Sequence, residues 1–160
     1  MRALSSVLLL LALCAAPAAR AGQQRLAVLE LELAPGAAID RTYFSDLART
    51  AAHRRAPHLF VMTRESTEVL LAATGRTLAD CAGGCEVEVG RKLGADYIVS
   101  GRVAQIGSWL TLTVRLFATE SGQMIESAEA RGKSADDLLE RAGAALARIA
   151  ARGRAARSGC

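Results

Sequence analysis

The chain has few of the side chains on which catalysis usually rests. Histidine occurs twice, at His53 and His58, and lysine twice, at Lys92 and Lys133. The two histidines flank one turn with no third ligand nearby, so they read as surface residues and not as a metal site. Ser100 precedes Gly101, but no G-x-S-x-G elbow surrounds it. Gly83-Gly84 lacks the further glycine, lysine and hydroxyl of a phosphate-binding loop. The paired acids Asp136-Asp137 suit the first turn of a helix, where they complement its dipole. These absences point away from an enzyme. No catalytic residue, metal or cofactor is expected.

Long apolar runs are missing as well. Val7 to Ala16 is uninterrupted, but its ten residues are about half of what a membrane span needs. Met1-Arg2 supplies a basic start before that run, and Ala19-Arg20-Ala21 supplies a small-x-small cleavage pattern after it. Residues 1–21 therefore read as a secretory signal peptide cleaved after Ala21, which places the mature protein in the periplasm. Acylation at Cys14 is the competing expectation. It is disfavoured because the large Leu13 precedes the cysteine, where lipoprotein signals carry a small residue.

Without Arg2 and Arg20 the chain holds 18 basic against 16 acidic residues. Arg148, Arg152, Arg154 and Arg157 lie near the carboxyl end, and without them the body counts 14 against 16. The basic character thus belongs to the carboxyl end, where residues 152–160 read as a basic flexible tail, and the body gives no support for nucleic-acid binding.

Between leader and tail, residues 22–151 read as one α/β domain. Arg25 to Leu33 is a strand with Ala27, Leu29, Leu31 and Leu33 on one face. Leu26, Val28, Glu30 and Glu32 lie on the other, which turns from buried to solvent-facing along its length. Ile39 to about Arg55 is a helix with Ile39, Tyr43, Leu47 and Ala51 four apart, and Phe44 and Ala48 beside them. Arg41, Asp46, Arg49 and Arg54 fall on its polar side. Leu59 to Met62 is a short strand, and Thr63 caps a helix that turns Val69, Leu70 and Ala73 inward before stopping at Gly75.

Cys85, Val89 and Leu93 make the face of a third helix ending at Gly94. Tyr97 to Gln105, Trp109 to Phe117 and Gln123 to Arg131 then form an antiparallel meander, the last strand polar enough for an edge. In the first of these, Gly101 signals a bulge or a close neighbour. Ser134 caps the final helix with Asp137 three residues on, and Leu138, Ala142, Leu146 and Ile149 form its buried stripe. The order β-α-β-α-α-β-β-β-α gives a mixed β-sheet with helices packed on it.

Of the four cysteines, Cys81 and Cys85 stand four apart. In an exported chain they most simply form a disulfide. Zinc would need two more ligands and a redox pair normally has two intervening residues, leaving buried free thiols as the remaining alternative. Cys160 is left over.

Three stretches carry a family likeness: Val28-Leu29, the step Leu59-Phe60-Val61-Met62-Thr63-Arg64, and above all Gly90-Arg91-Lys92-Leu93-Gly94-Ala95-Asp96-Tyr97-Ile98-Val99-Ser100-Gly101. The turn Thr119-Glu120-Ser121-Gly122-Gln123 fits too. With these the chain resembles a family of bacterial cell-envelope domains. It comprises the amino-terminal domain of TolB, the curli-secretion lipoprotein CsgG and the penicillin-binding-protein activator LpoB. The resemblance spans roughly Arg25 to Ala151. It implies a non-enzymatic periplasmic or outer-membrane-associated domain that binds other envelope proteins, and it brings no site residues with it. The chain has no length for a propeller or for membrane-crossing hairpins. A small-ligand or nucleotide sensor is the alternative expectation.

Overall fold

The computed structural model describes residues 23–37, 39–75, 85–138 and 140–142. The first strand is interrupted. It forms β1 (Arg25–Val28) and β2 (Glu32–Leu33), followed by α1 (Arg41–Arg55), β3 (Phe60–Val61), α2 (Arg64–Ala72) and α3 (Glu86–Lys92). The meander is β4 (Tyr97–Ile106), β5 (Trp109–Ala118) and β6 (Met124–Gly132). A last helix, α4, starts at residue 135 and is described to 142. Apart from that interruption, element order and fold class are those read from the sequence.

The sheet runs β3-β1-β4-β5-β6, with β2 continuing beside β4. Pairing is parallel on the β1 side of β4 and antiparallel beyond it. Helices cover both faces. Phe44, Ala48 and Ala52 of α1 and Leu138 and Ala142 of α4 pack on Leu26, Val28, Val99, Val103, Leu112, Val114 and Leu116. Leu71 of α2 and Val89 and Leu93 of α3 pack with Ala27, Leu29, Met62 and Ile98 on the opposite face.

The interruption between β1 and β2 corrects the expectation of one continuous strand. Val28 pairs with Val99 and Glu32 with Arg102, so the outer strand takes four steps where β4 takes three. That extra residue is a bulge, and it resets which side chains share a face. Ala27 and Leu29 therefore lie on the α2–α3 face, while Leu31 joins Leu26 and Val28 on the α1 face. Leu31 is the close neighbour of Gly101: a β-carbon there would lie 2.6 Å from Leu31 Cδ2 and 3.0 Å from the Thr113 carbonyl oxygen.

Two helices also bury other residues than expected. In α1 the inward stripe is Phe44, Ser45, Ala48, Arg49 and Ala52, one position on from the expected one, and Tyr43 is 59% exposed. In α2 the buried positions are Thr67 and Leu71, whereas Val69, Leu70 and Ala73 are exposed. Of its apolar residues, Leu71 packs with Ala27, Leu29, Met62 and Ile98.

Two caps are those read from the sequence: Thr63 Oγ1 accepts from the Ser66 N–H at 3.2 Å, and Ser134 Oγ from the Asp137 N–H at 3.2 Å. A third caps α1, which begins after Ile39: the Asp40 carboxylate accepts from the Tyr43 N–H at 2.6 Å. The β4–β5 hairpin turns on Gly107-Ser108, where Gly107 takes a positive φ that the residue after it does not share. Leu146, Ile149, Cys81, Cys160, the leader and the tail lie outside the described residues.

Candidate functional site: a groove at the β3 edge

The stretch from Gly90 to Gly101 is fully committed to holding the fold. A β-carbon on Gly90 would run into Thr119 Cγ2. Arg91 donates to the carbonyls of Thr119 at 2.8 Å and Glu120 at 3.1 Å. The Thr119 hydroxyl donates to the carbonyls of Ala95 and Asp96. Asp96 accepts from the Arg25 N–H at 2.7 Å, fixing the start of β1. The segment and the Thr119–Gln123 turn are thus two halves of one clasp. Ser100 donates to buried Glu86 at 3.4 Å.

The charged groups that the fold brings together lie elsewhere. Glu30 follows β1 with its side chain only 10% exposed, so that face does not emerge into solvent as its sequence suggested. Arg49, expected on the polar side of α1, is buried at 7% exposure. Its guanidinium donates to the Val28 carbonyl at 3.0 Å and pairs with Asp46 at 2.6 Å and Glu30 at 3.5 Å. Arg64, the first residue of α2, reaches Glu30 at 2.7 Å, Asp46 at 3.1 Å and the Thr42 carbonyl at 3.3 Å. Partial burial works against the charge of Arg64, but Glu30, Asp46 and Glu68 outweigh it and hold the guanidinium above its ordinary pKa. Ser45 completes the set by donating to the Arg41 carbonyl at 2.7 Å while accepting the Leu31 N–H at the bulge.

The position of this network follows from topology. Neighbouring strands β1 and β3 send their helices to opposite faces, which opens a crevice beyond their carboxyl ends. From there a groove of about 640 Å³ runs along the outer edge of β3. Asp46, Arg49, Thr50 and His53 of α1 form one wall, and residues Phe60 to Glu65 line the rest. Phe60 is 48% exposed. The N–H groups of Phe60 and Met62 bond to Gln24 and Leu26, so alternation turns the peptide groups of Val61 away from the sheet. His53 and His58 lie on either side of the turn at Pro57. Among the described residues no three His, Cys, Asp or Glu side chains gather as a metal site.

The groove was not legible in the sequence, because its existence depends on β3 being the edge strand. The one local signal of the network was Glu30, an acid that directly follows the apolar run Leu26 to Leu29.

Comparison with known proteins places the fold. The DUF3280 family model, described as protein of unknown function (DUF2380), matches residues 17–149. The chain belongs to this family. No curated protein matches its sequence. Among solved structures it is similar to the LpoB C-terminal domain from Salmonella enterica, with a TM-score of 0.60 at 14% identity. That match covers 70% of this chain and 84% of the other. The lipoprotein GNA1162 from Neisseria meningitidis gives a TM-score of 0.55 at 18% identity, over 79% of this chain and 98% of that one. TolB from Acinetobacter baumannii gives 0.53 at 11% identity, over 81% of this chain but only 28% of TolB. The chain therefore shares the fold of LpoB- and TolB-like cell-envelope domains. Among its described residues no helix is long and apolar enough to cross a membrane.

Proposed function

We propose that this member of the DUF3280 family is an exported, non-enzymatic protein-interaction domain that serves assembly or maintenance of the bacterial cell envelope. The observation that carries this reading is the open groove along β3, walled by α1 and lined by Val61, with Phe60 exposed on the other side of the same strand. An exposed sheet edge with apolar side chains beside it suits another polypeptide. The nearby charges suit it better than they suit a reaction. Arg49 and Arg64 direct their guanidinium groups to Glu30, Asp46 and two main-chain carbonyls, leaving them committed to the fold. The same commitment weighs against a nucleotide or other anionic small ligand in the groove. The fold likeness to LpoB and TolB supports an envelope setting, and the leader sequence supports export.

Affinity capture from detergent-solubilised envelope tests the reading. Wild-type protein is expected to retain one reproducible envelope partner, and Thr50→Trp, which fills the groove from an exposed helix position, is expected to lose it. Equal capture by both proteins, or no reproducible partner, would overturn it.

A further inference from the structure

The groove has a direction. At one end stand Asp46 and exposed Glu65, whose carboxyl is held below its ordinary pKa by its own main-chain N–H and then by Thr63. At the other end lie Pro57, Gln23 and His53, and Arg54 and Arg55 follow His53 in the exposed last turn of α1. Among the described residues neither Arg54 nor Arg55 has an acidic partner, in contrast to Arg49 and Arg64. Between the two ends runs the bare edge of β3.

From this we infer that the groove accepts one extended segment of a partner polypeptide, which pairs with Val61 as an added strand. The segment lays an apolar side chain over Phe60 and places acidic side chains beside His53, Arg54 and Arg55. This rests on the interaction reading above and adds the binding mode and the partner's chemistry. Strand addition draws affinity from main-chain hydrogen bonds and specificity from alternate side chains. Here the outward N–H and C=O of Val61 supply the first, and Phe60 with the basic turn supplies the second. The basic tail of this chain has the wrong sign to occupy that end.

The geometry offers a selective test. In Val61→Pro the outward donor is lost, while the bonds from Phe60 and Met62 to β1 are untouched, and the extended residue before the proline tolerates it. Wild type, Val61→Pro and Arg54→Glu/Arg55→Glu are each screened against immobilised peptides of about eight residues, the length of an ordinary strand, alternating Val or Ile with variable positions. Wild type is expected to select peptides with Asp or Glu at one end, and Val61→Pro to bind them at least about tenfold more weakly. The double charge reversal, at exposed positions that leave the fold intact, is expected to shift selection to Lys- or Arg-ended peptides. Equal binding by Val61→Pro at unchanged thermal stability, or a preference the charge reversal does not move, would overturn the inference. If Val61→Pro still captures the envelope partner that wild type retains, strand addition falls and the interaction reading stands. If wild type captures none, both fall.

Discussion

Gly90 and Thr119 leave no space between them for one methyl group, since a β-carbon at position 90 would collide with Thr119 Cγ2. Helix α3 lies directly on the end of β5 at this point, and Arg91 and the Thr119 hydroxyl bond across the same junction. Gly90→Ala should therefore destabilise the protein by about 1–3 kcal/mol through overpacking. Thr119→Ser removes the obstructing methyl but keeps the hydroxyl. In that background Gly90→Ala should be neutral or slightly stabilising, because alanine is the better helix residue. Urea unfolding of the four proteins in this cycle measures the coupling. Additive effects would show that the two residues do not clash.

Arg49 is expected to matter more than any other arginine of α1. Removing it leaves Glu30 less compensated and the Val28 carbonyl without its donor. Arg49→Ala should cost about 3 kcal/mol, at the lower end for a broken buried pair because Arg64 still neutralises Glu30. Arg54→Ala, in an exposed final turn, should lie within about 0.5 kcal/mol of wild type. Thermal or urea denaturation separates the two.

The start of α4 gives a pH dependence. Arg141, and then the Lys133 N–H, hold the Asp137 carboxyl below its ordinary pKa. A carboxyl lowered on folding stabilises above its unfolded pKa, and the effect is lost as pH falls through the folded value. Wild type and Asp137→Asn should differ in stability at neutral pH and converge in acid. A carboxyl NMR titration should place Asp137 below the usual aspartate range.

Joining Cys81 to Cys85 would close a short loop just before α3, where Cys85 stands at the N-cap position. In the chain-entropy model reduction of so small a loop costs about 2 kcal/mol. Mass spectrometry of the protein purified from the periplasmic fraction after alkylation is expected to find both residues unmodified until a reductant is added. Two alkylated thiols without reductant would exclude the bond. The same spectrum reads the mature amino terminus, expected after Ala21.

The meander was legible in the sequence because Leu110, Leu112, Val114 and Leu116 alternate cleanly with Thr111, Thr113 and Arg115, and antiparallel neighbours need only short turns. The face of the first strand was legible only as far as Leu29. One extra residue before Glu32 inverted the parity, and nothing in an alternating run of Leu and Glu marks such an insertion. In α1 the adjacent Tyr43 and Phe44 offer equivalent starting points. The alanines at 48, 51 and 52 give too little contrast to choose between them. Arg49 looked solvent-facing because its partners Glu30 and Val28 come from a separate strand, and local periodicity carries no trace of them. The groove had no local signature at all. It exists because β1 lies between β3 and β4, so that a two-residue strand closes the sheet.

The central claim is that the β3 groove binds an envelope protein, and site-specific photo-crosslinking in intact cells tests it most directly. A photoreactive phenylalanine analogue replaces Phe60 in the groove or, as a control, exposed Glu129 on the opposite edge strand. Position 60 is expected to yield a discrete adduct with an envelope protein, and position 129 none. No adduct at position 60, or the same adducts from both positions, would contradict the claim.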